Sequence, residues 1–451
     1  MATTVSRAER ELDLRHVWHG NLQHQDLEKR LPLEIVRAEG CWVYDSEGRR
    51  YLDAMAGLWC VNVGYGRSEI VNAVAEQMAR LPYYPLTQSH PPAALLAGRL
   101  ATLLPKELSH VFFLNSGSEA VETALKMARQ YARRAHPEQN RYKIIARHRA
   151  YHGFTMGALS ATGQVARKRA FEPLVPGFLH VPPPDHYRCT FCTAEPGCTL
   201  TCADEFDRVI RMEGPETVAA VILEPTIGGG GVFHSPEGYL ERVREICDRH
   251  GVLMIVDEVI TGFGRTGKMF AFEHAGIRPD ILTLAKGITS AYLPLAATVA
   301  TGAVFDAFRS ATDDTAKFAQ VSTFGGHPCS CAAGLANLEI LVRERLWENS
   351  ERIGAYLADR LRALPSRHIG EVRGRGLLIG LEMVADANRT PMAEAEVVRL
   401  QRRIREGGVL VGRNNDTVPG FGNVLTISPP LTLTQEEADV IVEGIAKGFE
   451  Q

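Results

Sequence analysis

The sequence predicts an α/β fold, a large domain with a mostly parallel sheet joined to a smaller α+β domain, and three observations carry that prediction. From about residue 68 to 280, stretches with helical periodicity alternate with short apolar runs. The runs Ala219–Leu223, Val252–Val256 and Ile281–Leu284 are compact, apolar and followed by polar residues, as strands buried on both faces are. After about residue 330 the pattern changes to helical stretches alternating with short strands, the mark of a second unit.

Taken in order, residues 41–54 read as two short strands joined by a turn at Ser46-Glu47-Gly48. Glu69–Leu81 and Ala93–Leu104 have helical periodicity, Val111–Leu114 is a short apolar strand, and Ser118–Arg134 is a helix. Pro182-Pro183-Pro184 begins an irregular stretch. In the last third, Ala332–Arg345, Ser350–Leu364 and Ala393–Glu406 read as helices, and Leu377–Glu382 and Val424–Ile427 as strands. Residues 1–61 and 329–451 are expected to form the small domain, and 62–328 the large ligand-binding one.

Composition removes several function classes. Fifty Lys and Arg against 53 Asp and Glu leave a net charge of −3, which offers no field for nucleic acid or an anionic membrane. No apolar run approaches the roughly 20 residues a bilayer span needs. The first ten residues hold no apolar signal core, so a cytoplasmic location is expected. Of nine cysteines, Cys41, Cys60, Cys247, Cys329 and Cys331 have apolar or small neighbours and read as reduced, buried thiols.

Three local signals carry chemistry. Gly251-Val252-Leu253-Met254-Ile255-Val256 delivers Asp257-Glu258 to the end of an apolar strand. Alone, this is a solvated strand terminus or an imitation of a Walker B strand. The following Gly262-Phe263-Gly264-Arg265-Thr266-Gly267-Lys268 nearly spells a phosphate-binding loop, but Met269 stands where Ser or Thr must reach magnesium. That loop also lacks a strand leading into it, so an ATPase is rejected. The second signal is Lys286, at the end of Leu282-Thr283-Leu284-Ala285. A buried lysine is costly unless used, and a desolvated amine is a nucleophile towards an aldehyde. The third is a strand, a small-residue turn and a helix start at Leu114-Asn115-Ser116-Gly117-Ser118. There, free N–H groups, the helix dipole and the Ser118 hydroxyl suit a phosphate. No G-x-G-x-x-G spacing points to a dinucleotide. Together the signals supply a phosphate cup, a carboxylate for a ring nitrogen and a lysine for a covalent imine, the parts a pyridoxal 5'-phosphate site needs. Tyr151 offers an aromatic partner for the ring.

At these positions the sequence resembles the class III aminotransferases of the fold-type-I pyridoxal-phosphate superfamily. The matching motifs run from Trp42 to Pro430 and include Asn115-Ser116-Gly117-Ser118-Glu119-Ala120, Tyr151-His152-Gly153, Glu224-Pro225, Asp257-Glu258-Val259, Ala285-Lys286-Gly287 and Thr323-Phe324-Gly325-Gly326-His327-Pro328. The resemblance implies the aspartate-aminotransferase-like fold and gives each position a role. Gly117 and Ser118 would hold the phosphate, with Thr323 reaching it from a partner subunit. Tyr151 and Val259 would cover the two ring faces, with His152 beside them. Asp257 would pair with the ring nitrogen and Glu224 would support that region. Lys286 would bind the cofactor and act as general base and then general acid, so Lys286 and Asp257 are the expected catalytic pair. A homodimer or tetramer with a shared site is implied, using pyruvate as acceptor in a ping-pong cycle.

Donor specificity is read from Gly57-Leu58-Trp59-Cys60 and Tyr84-Pro85-Leu86-Thr87, which resemble the ω-amine–pyruvate and taurine–pyruvate branches. Trp59, Leu86 and Arg413 are therefore the expected substrate contacts, Arg413 as the cation for an acidic donor such as taurine or β-alanine. Two departures stand out: the loop Asn414–Asn423 is long, and Ala296-Ala297 stand where the family carries Gly or Ser before Ala. The alternatives are a class III racemase, decarboxylase or aminomutase, and a catalytically dead binding protein. The remaining cysteines cluster as Cys189-x2-Cys192-x5-Cys198-x3-Cys202, which leaves open a structural zinc, disulfides or free thiols. No catalytic metal is expected.

Overall fold

In the computed structural model, which describes residues 7–29, 32–192, 197–415 and 417–450, the apolar runs pair into one seven-stranded sheet. Its strands lie in the order Leu108–Leu114, Ala296–Thr301, Ile281–Leu284, Leu253–Asp257, Val218–Leu223, Lys143–Arg147 and Phe178–Val181. All pairings are parallel except those of Ala296–Thr301, which runs antiparallel to both neighbours. Val218–Leu223, Leu253–Asp257 and Ile281–Leu284 are buried along their whole length. That is why they read as unbroken apolar runs and not as an alternation.

Three strands of this sheet escaped the sequence reading. Lys143–Arg147 and Phe178–Val181 are short and flank or interrupt their apolar residues with charges or a histidine, and Ala296–Thr301 is alanine-rich, a composition with low strand preference. Packing overrides that preference. Ala296 is buried against Leu114, Ala120 and Ala285, and Thr298 donates to the Ala120 carbonyl at 2.8 Å. Ala296 thus lets the helix Gly117–Ala135 lie close on the sheet, while Ala297 packs in a different core cluster. That helix buries Ala120, Val121, Ala124, Leu125, Ala128 and Ala132, one stripe at helical spacing. Its larger buried side chains each contribute about 1.5–3 kcal/mol.

The two ends of the chain meet in a second sheet. Ile35–Glu39, Trp42–Asp45 and Arg50–Asp53 form an antiparallel meander, and Val409–Leu410 adds in parallel to Arg50–Asp53. The turn between the last two meander strands is held by Asp45, whose Oδ1 accepts from the Glu47 and Arg49 amides. A third, antiparallel sheet orders Ile369–Arg375, Leu378–Met383, Val424–Ile427 and Gly412–Arg413. The helices Pro328–Arg343 and Leu346–Arg362 begin earlier than their periodicity suggests. Pro328 occupies the first turn of its helix, where a missing N–H costs nothing.

Cys41, Cys247, Cys329 and Cys331 are buried as expected, whereas Cys60 is only half-buried, its thiol on the Leu58 carbonyl at 2.9 Å. Cys189, Cys192, Cys198 and Cys202 are free thiols that line a cavity of their own with Asp185 and His186. Among the described residues, no group of three or more His, Cys, Asp or Glu is set to hold a metal ion. No described helix is long and apolar enough to cross a membrane.

Candidate active site

Strand register builds the floor of the site. Val256 pairs with Leu223 and Asp257 with Thr283, so Glu224, Asp257 and Thr283 leave adjacent strands at the same level. Asp257 is buried and its carboxylate is held from three sides. Oδ1 accepts from the Val259 amide at 3.0 Å and the Thr283 hydroxyl at 3.1 Å, and Oδ2 lies 2.8 Å from His152 Nδ1. These bonds fix the carboxylate plane before any ligand arrives.

Glu224 is also buried, with Oε1 accepting from the Tyr151 amide at 3.0 Å and Oε2 from the Gly228 amide at 3.1 Å. Burial raises its pKa above the usual carboxylate range, with His152 and Arg147 pulling the other way. Its contact with the Tyr151 backbone makes it a brace for the loop that carries Tyr151 and His152. Glu258, the other half of the acidic pair, turns away from the site. Its Oε1 accepts from the Phe272 amide at 2.8 Å and its Oε2 from the Thr261 hydroxyl, and burial pushes its pKa to about 7.

A capping box opens the helix Gly117–Ala135. Ser116 Oγ accepts from the Glu119 amide, and Glu119 Oε2 reaches back to the Asn115 and Ser116 amides at 2.7 and 3.1 Å. Among the described residues the Gly117 and Ser118 N–H groups keep no hydrogen-bond acceptor, which leaves them for an anion. Glycine is required twice around them. A Cβ on Gly117 would stand 2.9 Å from Val259 Cγ1, and one on Gly153, at φ +130°, would stand 2.5 Å from Ser118 Oγ. Ser118 Oγ accepts from the Phe154 amide at 3.0 Å, which leaves its own hydrogen free to donate. Glu122 ties the same helix to the next segment by accepting from Thr155 and from the Ala158 amide.

Lys286 follows the strand Ile281–Leu284 and opens a single helical turn in the left-handed region, φ +47°. A non-glycine residue there is strained by about 1 kcal/mol or more, and such strain collects at functional positions. Gly117, Ser118, Tyr151, His152, Glu224, Asp257, Val259 and Lys286 line one cleft, joined by Ser116, Gly153 and Ile260.

Trp59, Leu86, Thr323 and Arg413 do not line that cleft within one chain. Trp59, at φ +57°, packs on Val232, Ile260 and Leu378 and so reaches the cleft wall through Ile260. Leu86 sits against Gly326, and Thr323 is exposed on the same loop, its carbonyl accepting from Tyr83 at 2.8 Å. Arg413 is engaged by Glu394.

Sequence reasoning missed Thr283, Glu122 and Arg147. The first had a signal, a single hydroxyl inside an apolar strand. Glu122 and the buried Arg147, which donates to the Glu224 carbonyl, had none, because their partners are remote in sequence.

The family model for class-III aminotransferases matches residues 24–449. The chain is 48% identical to the uncharacterised aminotransferase YhxA of Bacillus subtilis, over 98% of this chain and 96% of that one. It is 43% identical to a taurine–pyruvate aminotransferase of Bilophila wadsworthia, over 97% and 96%. A thermostable (S)-enantioselective ω-transaminase from Thermomicrobium roseum superposes with a TM-score of 0.92 at 41% identity, covering 99% of both chains.

Proposed function

The chain belongs to the class III aminotransferases and is a pyridoxal-phosphate-dependent transaminase, and from that premise we propose that it transfers the amino group of a terminal amine or ω-amino acid, with taurine or β-alanine foremost, to pyruvate. The donor and acceptor rest on the likeness to taurine–pyruvate aminotransferase along nearly the whole of both chains. The observation that carries the site is the convergence of two free helix-start N–H groups, the braced Asp257 carboxylate and Lys286 on one cleft.

The residues present fit the cofactor. Gly117 and Gly153 let Val259 and Ser118 close in around the helix start, where a Cβ on either glycine would collide with them, and the free N–H groups there suit a phosphate dianion. Bound there, pyridoxal phosphate supplies an aldehyde carbon that exchanges amines and a cationic ring that accepts an electron pair.

Asp257 would hold the proton on the ring nitrogen, because a carboxylate fixed by Val259, Thr283 and His152 needs no reorganisation to do so. Tyr151 and Val259 would orient the ring from its two faces, and Gly117 and Ser118 would bind the phosphate together with Thr323 of the partner subunit. Lys286 Nζ would take the proton from the amine-bearing carbon of the donor and redeliver it from the same face, acting as base and then acid. Trp59 and Leu86 would bound the space for the donor. Arg413 would bind an acidic head only after leaving Glu394.

An absorbance spectrum of the purified protein tests the reading. A yellow band that bleaches on adding taurine without keto acid supports it, and pyruvate should then restore the band and yield alanine. A band bleached only by arylalkylamines moves the donor class. No band after incubation with pyridoxal phosphate would sink the proposal.

A further inference from the structure

The cation expected to meet an acidic donor is Arg413, yet Glu394 holds its guanidinium. Another cation packs against a residue of the cleft wall, Tyr151. Arg167, in the short helix Val165–Lys168, lies with its guanidinium carbon 5.2 Å from the Tyr151 ring centroid and 5.5 Å from that of Phe154. Tyr151 lines the cleft together with Lys286. The side chain is half-buried, and burial lowers its pKa, with the Tyr151 phenol acting in the opposite sense.

Among the described residues no carboxylate pairs with Arg167, and its side-chain hydrogen bond runs from Nε to Gln164 Oε1 at 2.7 Å. Gln164 is itself fixed, being fully buried and donating to the Arg149 carbonyl at 2.9 Å. The guanidinium lies over the two aromatic rings, contacts worth about 0.5–2 kcal/mol. They leave its in-plane terminal N–H groups without a described acceptor. A half-desolvated cation with open donors is a cost that a bound oxyanion removes, and the planar fork suits two oxygens of one sulfonate or carboxylate. The long loop that follows Arg413 steadies this element, since the Ala166 amide donates to the Thr417 carbonyl at 3.3 Å.

We propose that Arg167 forms an anion subsite beside Tyr151 that binds the sulfonate or carboxylate head of the donor, a role distinct from that of Arg413. The inference rests on the acidic-donor reading above, so its test uses a probe that does not have to react. Ethanesulfonate carries the anion of taurine without its amine. The holoenzyme would be assayed for bleaching of its yellow band by 1-phenylethylamine, a neutral-tailed donor, with ethanesulfonate as competitor.

In Arg167→Gln the inhibition constant of ethanesulfonate is expected to rise about tenfold to a hundredfold, the worth of a charge-assisted bond. Bleaching by 1-phenylethylamine alone should change by less than about threefold, and Arg167→Lys should recover part of the inhibition. The subsite is overturned if wild type is insensitive to ethanesulfonate, if Arg167→Gln is inhibited as strongly as wild type, or if that variant loses both readouts equally. Should taurine fail as a donor while ethanesulfonate inhibition still follows Arg167, the donor reading fails and the subsite stands.

Discussion

Glu224, Asp257 and Lys286 leave the ends of neighbouring strands whose pairing fixes their spacing, whereas Trp59, Leu86, Thr323 and Arg413 sit on turns, loops and a two-residue edge. Of the floor residues, Glu224 and Asp257 are buried and already hydrogen-bonded to the loop that carries Tyr151 and His152. The rim residues point to exposed loops, to Glu394 or to a neighbouring apolar cluster. Adjacent parallel strands lie about 4.8 Å apart, so the floor can be set by register alone. The rim needs loop conformation, and in the proposed shared site Thr323 would serve a second chain. The difference teaches that the floor is preorganised for one cofactor, while the rim is where donor choice can vary without disturbing it.

The largest effect should come from the floor. Lys286→Ala is expected to lower transamination by about a thousandfold or more and to abolish the yellow band, measured by pyruvate-dependent alanine formation and by spectrum. Asp257→Asn should cost about a hundredfold in kcat while the protein still binds cofactor, because it removes the charge but keeps the hydrogen bonds of Oδ1. If either variant behaves like wild type, the floor is not the catalytic centre.

Glu258 sharpens the contrast, as a floor carboxylate that faces away from the cleft. Its folded pKa near 7 lies above the ordinary value of 4.5, so between those values the folded state holds a proton that the unfolded state has lost. Stability therefore falls as pH rises through that window, by roughly 3 kcal/mol from this group. Glu258→Gln can still accept from the Phe272 amide and donate to Thr261, so its denaturation midpoint should lose that part of the decline between pH 5 and pH 8. An unchanged pH profile would assign the wrong state to Glu258.

Gly153→Ala places a methyl against Ser118 at a φ that alanine avoids, and should weaken cofactor binding by about 2 kcal/mol, near thirtyfold in Kd. The smallest effect belongs to the rim. Glu394→Gln releases Arg413 from a part-exposed ion pair worth about 1 kcal/mol or less, so stability should barely move while the KM of an acidic donor falls. A rise in KM instead would mean that Glu394 holds Arg413 in its working position.

Much of this protein could be read before folding. The apolar runs at 219–223, 252–256 and 281–284 announced a buried parallel sheet, because strands covered on both faces are apolar along nearly their whole length. Asp257 and Lys286 stood out because a charged group at the end of such a run is costly without a use. The turn at 115–118 was legible as small residues between an apolar strand and a helix start, while its Ser116–Glu119 capping box emerged only from the structure. Hidden from the sequence were the antiparallel strand Ala296–Thr301, whose alanines favour it only through contact with a helix, and Arg147 under Glu224. The pairing of Arg413 with Glu394 and the stacking of Arg167 on Tyr151 were equally invisible. Hydrophobic pattern acts between residues close in the chain, so the sequence alone determines the buried parallel strands at the centre of the sheet and the types of residue at their ends. Which charge meets which partner depends on contacts between segments far apart in the chain, and only the tertiary structure decides those.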